Sequence, residues 1–224
     1  MVLNRSTRLT LAAALVVIVI GGAAVLLAFS SRGNATLSAT PSSPGLAAVE
    51  GTPFTGVTEV TPPRPLKDFT LTNQDGQPVQ FSNFHGKFTL LFFGYTHCPD
   101  VCPLTLLEYK QIKNALGERA DEVNRVFISV DGERDTPDTL KTFIARFDSG
   151  IVGLTGDEAT LLQIGTDYDL YFAKRASPTN QADDYIVDHT SNLFVVNPQG
   201  ELVAFYTFGT DIKLVTADLQ QRLG

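Results

Sequence analysis

The chain has 224 residues, 43% of them hydrophobic, and a formal net charge of −7. This length suits one globular domain with an additional segment. The acidic balance argues against a nucleic-acid partner, because such a partner would require a clustered basic face. The sequence shows no repeat with a period of about 20–50 residues, so a solenoid is not expected.

The amino terminus carries a long apolar segment. Arg5 and Arg8 precede an uncharged stretch from Leu9 to Ser31, and its length fits the roughly 20 residues that a membrane-spanning helix needs. A cleaved signal peptide is the alternative, with residues 28–30 as its cleavage site. The arginines favour an amino terminus inside the cell. We therefore predict a cytoplasmic tail and single-pass membrane anchor over residues 1–31, with the rest of the chain on the extracytoplasmic side.

A segment rich in Ser, Thr, Pro, Gly and Ala follows the anchor. Its prolines include the cluster Pro62, Pro63 and Pro65, and prolines disfavour a helix or a central strand. We therefore predict that residues 32–64 form a flexible linker and that residues 65–224 form the folded domain. Such a linker would let a tethered domain search a volume near the membrane surface.

Strand and helix patterns alternate from Leu66 onward. In chain order they predict a β-hairpin over 69–81, a buried strand over 87–94, a helix from Pro103 to Gly117, a strand over 123–130, a helix after Asp135, a short strand over 151–154, a helix over 157–168, a strand within 185–196, a strand over 201–208 and a final helix over 211–223. This order is typical of an α/β fold with a central mixed sheet covered by helices on both faces. It predicts a thioredoxin-like domain with an N-terminal β-hairpin.

The only two cysteines, Cys98 and Cys102, lie between the most apolar strand and a helix. Sites in α/β sheets gather beyond the carboxyl ends of strands. Because Pro103 cannot lie deep in a regular helix, we expect the helix to begin near it and the cysteines to lie in a preceding turn. A helix amino terminus favours thiolate, the form that attacks disulfides and binds metals. A structural disulfide is the alternative, although so short a loop would stabilise the fold only modestly.

A metal site would need a third ligand, and the chain has three histidines. Two thiolates with one imidazole suit Cu(I), and imidazole also helps to hold Cu(II). His85 lies in a loop and is most simply a surface residue, while the side chain of His97 is expected to point away from that of its neighbour Cys98. His189 lies at the predicted start of a late strand, which in a thioredoxin-like topology faces the cysteines. The pattern alone leaves it open whether His189 is a ligand or a hydrogen-bonded structural residue.

Four motifs in order carry a resemblance to a known family. The segment from Gly94 to Pro103, GYTHCPDVCP, closely resembles the copper loop of the Sco/SenC family, which comprises copper chaperones of cytochrome c oxidase assembly. The resemblance continues through SVDGERDTP, VGLTG and DYIVDHT, and spans most of residues 65–224. It implies that Cys98, Cys102 and His189 bind a copper ion, as Cu(I), Cu(II) or both. It also makes Asp131 and Asp188 candidates for hydrogen-bonded support of these ligands, with ordinary turn capping as the alternative role of both aspartates.

The resemblance also implies a client, that is, a protein that receives the copper ion. The protein would deliver copper to the binuclear copper centre of cytochrome c oxidase subunit II or a similar enzyme, with a thiol reductant or another copper carrier as a further partner. The alternative is a thiol–disulfide oxidoreductase that uses Cys98 and Cys102 to reduce the client's cysteines. Such an enzyme usually has Cys-x-x-Cys preceded by Trp, whereas this chain has Cys-x-x-x-Cys and no Trp. The Thr-x-x-Cys pattern of a peroxiredoxin-like peroxidase is also absent.

Overall fold

The computed structural model describes residues 56–177 and 185–224, which form ten β-strands and four α-helices. The strands are β1 Val57–Pro65, β2 Thr70–Asn73, β3 Pro78–Gln80, β4 Phe88–Gly94, β5 Val123–Ser129, β6 Val152–Thr155, β7 Phe172–Ala176, β8 Tyr185–His189, β9 Leu193–Val196 and β10 Glu201–Tyr206. The helices are α1 Val101–Leu116, α2 Pro137–Ile144, α3 Glu158–Tyr168 and α4 Ile212–Leu223. The apolar segment and most of the linker lie outside the described residues, and none of these four helices is long and apolar enough to cross a bilayer.

Eight of these strands form one mixed sheet in the order β1-β10-β9-β4-β5-β6-β2-β3. The strands β4, β5 and β6 are parallel neighbours, and the other pairs are antiparallel. Parallel neighbours require crossover connections, which contain α1 and α2. The predicted central mixed sheet with helices and the predicted hairpin of β2 and β3 are therefore confirmed.

The centre of the sheet is completely buried. The residues with no exposed surface there are Leu90, Leu91, Phe92 and Phe93 of β4 and Val126, Phe127 and Ile128 of β5. Both faces of β4 are covered, which explains why its sequence is a continuous apolar run. Burying each such side chain contributes about 1.5–3 kcal/mol. The segments that leave the ends of β4 and β5 therefore start from a rigid base.

The register of the strands brings three connecting segments to one edge of the sheet. Gly94, the last residue of β4, pairs with Ser129, the last residue of β5. Leu193, the first residue of β9, pairs with Phe92 near the same end of β4. The chain leaving β4, the chain leaving β5 and the chain entering β9 therefore meet at this edge. These three segments contain all the predicted site residues.

Helix α1 begins earlier than the sequence predicts. It starts at Val101 with Asp100 as its N-cap, so Pro103 is its third residue. Proline is tolerated there because the first four N–H groups of a helix have no partner within the helix. The prediction that both cysteines precede the helix is therefore wrong for Cys102, which lies in the first turn of α1.

The end of the predicted linker forms most of the edge strand β1. This strand pairs antiparallel with β10, with a register shift between Glu59 and Arg64. Pro62 and Pro63 lie within that irregular stretch, and an edge strand tolerates proline because one of its sides makes no ladder hydrogen bonds. The prolines exclude a central strand, but the assignment of residues 57–64 to a flexible linker is wrong.

The strands β7 and β8 form a separate two-stranded antiparallel sheet. The sequence pattern does not predict β7, and it places β8 and β9 in one segment. His189 pairs with Phe172 and is the last residue of β8, so its predicted position at the start of a strand is wrong. Residues 190–192 connect it to β9. We call the pair β7 and β8 the His189 arm.

Candidate metal centre

Three metal-ligating side chains converge at the edge of the sheet. One ligand atom from each of Cys98, Cys102 and His189 lies within 4.8 Å of the other two. The Cys102 Sγ lies 3.5 Å from His189 Nε2. Both cysteines are free thiols; Cys102 is buried, whereas Cys98 and His189 are half-buried. Within residues 56–177 and 185–224, this is the one such cluster of His, Cys, Asp or Glu side chains.

Backbone groups approach both sulfur atoms. The N–H of Tyr95 lies 3.5 Å from Cys102 Sγ, and the N–H of Cys102 lies 3.5 Å from Cys98 Sγ. A Cβ atom at Gly94 would lie 2.8 Å from Cys102 Sγ, so a glycine is required where β4 ends. Backbone N–H groups stabilise negative charge on sulfur. The backbone around the cysteines therefore both positions the sulfurs and favours thiolate.

The two thiols differ strongly in acidity. A hydrogen bond from the Cys102 thiol lowers the pKa of Cys98 from 9.0 to about 4, against an opposing effect of burial and with further help from His189 and from backbone N–H groups. Burial raises the pKa of Cys102 above 9.0, and the hydrogen bond to Cys98 and its negative charge add to this rise. At neutral pH the pair holds one thiolate and one thiol. A metal ion bound by both sulfurs must therefore displace the proton of Cys102.

The acidity of Cys98 predicts the pH dependence of its alkylation. In the reduced, metal-free protein, the rate of labelling at Cys98 by iodoacetamide is expected to stay nearly constant from about pH 6 to about pH 8, whereas an ordinary thiol would speed up about 100-fold. Below that range the rate should fall with a midpoint at about pH 4. Mass spectrometry of the labelled peptide measures the rate at each cysteine. An alkylation rate at Cys98 that rises tenfold per pH unit above neutrality would contradict the assignment of Cys98 as a thiolate at neutral pH.

The imidazole of His189 is oriented for ligation. Its Nδ1 lies 3.0 Å from the carbonyl oxygen of Thr190. Because a carbonyl only accepts hydrogen bonds, Nδ1 carries a proton, and Nε2 is the ring nitrogen that faces Cys102. The rings of Phe92 and Tyr95 pack edge to face against the imidazole, with centroid distances of 5.9 and 5.8 Å. The ring is therefore held in place on several sides before any ion binds.

Comparison with known proteins identifies the family of this fold and site. The sequence model of one family, described as SCO1/SenC, matches residues 58–224. This match covers well over half of the chain and includes all three converging side chains. The chain belongs to the SCO1/SenC family.

Individual relatives agree with this assignment. Protein SCO1 homolog 1, mitochondrial, from Arabidopsis thaliana is 35% identical over 150 residues, which are 66% of this chain and 44% of the relative. A putative copper-binding protein from Stutzerimonas stutzeri is 36% identical over 62% of this chain and 67% of its own length. The structure of Bradyrhizobium japonicum ScoI with copper bound is 40% identical, with a TM-score of 0.64, and the match covers 70% of this chain and 98% of that one. The chain spans about half the length of the mitochondrial relatives it matches.

The other two histidines are outside the cluster. His85 is exposed in its loop, as predicted. His97 is also exposed, and its Nδ1 lies 3.0 Å from the hydroxyl of Thr96. Neither belongs to the set of converging ligand atoms. His189 is therefore the histidine available to complete a site with the two cysteines.

The two aspartates predicted to support the ligands occupy different environments. Asp188 has a half-exposed side chain that pairs with Arg175 at 3.0 Å. Since neighbouring residues of a strand point to opposite faces, its carboxylate points away from the His189 side chain. Asp131 is buried and bonds to Arg134 and Tyr185. Among the described hydrogen bonds, neither aspartate bonds to a ligand side chain, and Asp131 instead contacts the His189 arm.

Asp135, which the sequence does not single out as a site residue, is fully buried beside the cysteines. Its carboxylate accepts hydrogen bonds from the backbone and hydroxyl of Thr96 and from the hydroxyl of Ser129. It thereby joins the chain just before Cys98 to the end of β5. Its presence in the motif from Ser129 to Pro137 is the only feature of the sequence that points to a role near the cysteines.

Proposed function

We propose that this protein is a copper chaperone that binds one copper ion through Cys98, Cys102 and His189. The observation that carries the proposal is the convergence of two sulfurs and one imidazole nitrogen within 4.8 Å. Two thiolates and an imidazole form a soft, low-coordinate set suited to Cu(I), and the imidazole also helps to hold Cu(II). The copper-bound ScoI structure and the relative named a putative copper-binding protein support copper as the ion.

The copper ion would be cargo that enters and leaves by ligand exchange. Cys98 is already a thiolate at neutral pH, since its pKa is about 4, and Cys102 would lose its proton as the ion binds. Cys98 and His189 are half-buried and Cys102 is fully buried. An incoming ligand of an acceptor therefore reaches the ion on the side of Cys98 and His189, and Cys102 is the last ligand to be exchanged.

The proposed acceptor is the copper-free binuclear centre of cytochrome c oxidase subunit II, or a similar copper enzyme. Membership of the SCO1/SenC family supports this choice. Thiolates of such a centre would compete directly for Cu(I), so transfer needs no covalent intermediate. A thiol reductant that keeps Cys98 and Cys102 reduced, or another copper carrier that loads them, would be a further partner.

The proposed location is the outer face of a membrane. Residues 9–31 would span the bilayer once, and the arginines before them would remain in the cytoplasm. The Pro- and Ser-rich linker would then end before Val57, where β1 begins. This arrangement keeps the copper domain near a membrane-bound client, and the linker allows the domain to reorient relative to the membrane.

One observation favours a second function as a thiol–disulfide oxidoreductase. The pair combines an accessible thiolate, Cys98, with a buried thiol, Cys102, in the first turn of a helix. The thiolate would attack a client disulfide, and the second cysteine would then resolve the mixed disulfide. In this reading the protein reduces the client's copper-binding cysteines, and His189 is not required as a ligand.

The test is a copper titration of the full-length protein in detergent micelles. The reduced protein, kept anaerobic, is titrated with Cu(I) against a chelator and then examined by X-ray absorption. We expect one copper per chain, with two sulfur ligands and one nitrogen ligand. Absence of binding, or a coordination sphere without nitrogen, would contradict the three-ligand site. Fast copper-free turnover on a generic disulfide would instead favour the oxidoreductase.

A further inference from the structure

A five-residue segment that begins two positions after β5 contacts both halves of the proposed copper site. Residues 131–135, which we call the clasp, leave the sheet at the edge where the cysteines and His189 meet. Asp135, at one end of the clasp, contacts the segment that carries the cysteines. Asp131 and Arg134 contact the arm that carries His189.

Asp135 holds the segment that leads into the cysteines. Its carboxylate accepts hydrogen bonds from the Thr96 N–H at 2.8 Å and the Thr96 hydroxyl at 2.6 Å. It also accepts one from the Ser129 hydroxyl at 2.6 Å. Asp135 is 0% exposed, so these bonds satisfy a carboxylate that would otherwise be costly to bury. The position of Thr96, two residues before Cys98, is therefore tied to the clasp.

Asp131 and Arg134 hold the His189 arm through Tyr185, the first residue of β8. The Tyr185 hydroxyl donates to Asp131 at 2.6 Å. Arg134 donates to Asp131 at 2.6 Å and to the Tyr185 carbonyl at 3.0 Å, and its guanidinium lies 3.5 Å above the centroid of the Tyr185 ring. Glu133 adds an ion pair at 2.8 Å with Lys174 of β7. Both strands of the arm are thus attached to the clasp.

The clasp itself is a compact turn. The N–H groups of Arg134 and Asp135 both donate to the Asp131 carbonyl, at 3.1 and 2.9 Å. A Cβ atom at Gly132 would overlap the carbonyl oxygen of Gly156, so the turn packs directly against the backbone that follows β6. The side chains of Asp131 and Asp135 are therefore held at a fixed distance from each other. This fixes the position of Tyr185, which contacts Asp131, relative to Thr96, which contacts Asp135.

The His189 arm needs such an attachment, because it forms a sheet of its own and is not hydrogen-bonded into the main sheet as a strand. We propose that the clasp sets the distance between His189 and the two cysteines, with Arg134 and Asp135 as positioning residues for the copper site. This inference rests on the proposed copper-binding function. It assigns the two residues different effects, because Arg134 donates its hydrogen bonds to Asp131 and to the His189 arm, whereas Asp135 accepts hydrogen bonds from the segment before the cysteines.

The test compares Arg134→Gln with a matched control, Arg222→Gln, in the full-length protein. The two arginine side chains have similar exposure, 18% and 16%, and similar ion pairs, to Asp131 at 2.6 Å and to Asp218 at 2.7 Å. We expect Arg134→Gln to lower the Cu(I) affinity about tenfold, in the range found when groups that orient metal ligands are removed. The equilibrium of the cysteine pair with glutathione should not change. Arg222→Gln should alter neither quantity, although both variants lower the unfolding temperature.

Asp135→Asn is the second variant in the test. It should lower the Cu(I) affinity and also shift the thiol–disulfide equilibrium by several-fold, because it acts on the segment before Cys98. If this variant does not fold, Thr96→Val removes one hydroxyl contact to Asp135 and should change both quantities in the same direction.

Three results would overturn the inference. Arg134→Gln could bind copper like the wild type, Arg222→Gln could lose as much affinity as Arg134→Gln, or Arg134→Gln could shift the thiol–disulfide equilibrium as much as Asp135→Asn does. A wild-type protein that does not bind copper would instead refute the proposed function itself. The two failures are therefore distinguishable.

Discussion

Replacing His189 with alanine is expected to lower the affinity for Cu(I) by about 100-fold or more, since loss of a ligand should cost at least as much as loss of the groups that orient ligands. Two thiolates alone still hold Cu(I), so some binding should remain. Binding of Cu(II) should be lost, because the imidazole is the ligand in this set that suits Cu(II). Competition with a Cu(I) chelator and the Cu(II) absorption spectrum measure the two effects.

His85→Ala is the matched control for this prediction, because His85 is exposed and lies outside the cluster. It should bind both copper ions like the wild type. The cysteines should form a disulfide equally well in both variants, since the imidazole is not needed to bring Cys98 and Cys102 together. If His189→Ala kept the wild-type Cu(I) affinity, the three-ligand assignment would be wrong.

The position of the cysteine pair, one half of the proposed copper site, could be predicted from local sequence. Cys98 and Cys102 lie close together along the chain, directly after a strand whose apolar run reveals that it is buried. The structure confirms the strand and places both sulfurs at its end. A local pattern suffices here because the chain has no freedom to separate the two residues widely.

The histidine could not be predicted in the same way. His189 follows Cys102 by 87 positions, and its approach depends on the pairing of β9 with β4 and on contacts between the clasp and the arm. These are tertiary contacts between segments that are remote in sequence. Only the family resemblance connects them in the sequence, because spacing alone favours a structural histidine over a ligand.

The supporting residues were the least predictable part. Asp188 and Asp131 were chosen because they lie in the matching motifs, but Asp188 is solvent-accessible and bonds to Arg175. Asp135, which does bond to the cysteine segment, lies in the same motif as Asp131, but nothing in the sequence distinguishes it from the other acidic residues there. Whether the carboxylate of a turn residue points into the protein depends on the packing around it, which the sequence does not show. Asp is also common in turns because its side chain bonds to nearby backbone groups, so its presence there does not indicate a site.

The two single cysteine variants are expected to behave differently, despite losing the same kind of ligand. Both Cys98→Ser and Cys102→Ser should lower the Cu(I) affinity by at least about 100-fold, because a neutral hydroxyl is a poor ligand for a soft ion. Their alkylation rates should diverge. In Cys102→Ser the serine hydroxyl can replace the Cys102 thiol as a hydrogen-bond donor to Cys98. Cys98 also stays half-buried near backbone N–H groups, so it should react quickly with iodoacetamide at neutral pH.

In Cys98→Ser the remaining Cys102 has no exposed surface, and burial keeps its pKa above the usual value. Its alkylation should therefore be at least about 100-fold slower than that of Cys98 in the partner variant. Urea should remove the difference, since unfolding exposes both thiols equally, and this serves as the control. Equal rates in the folded variants would show that the cysteines are interchangeable. Unequal rates would identify Cys98 as the sulfur that an incoming ion or client meets first.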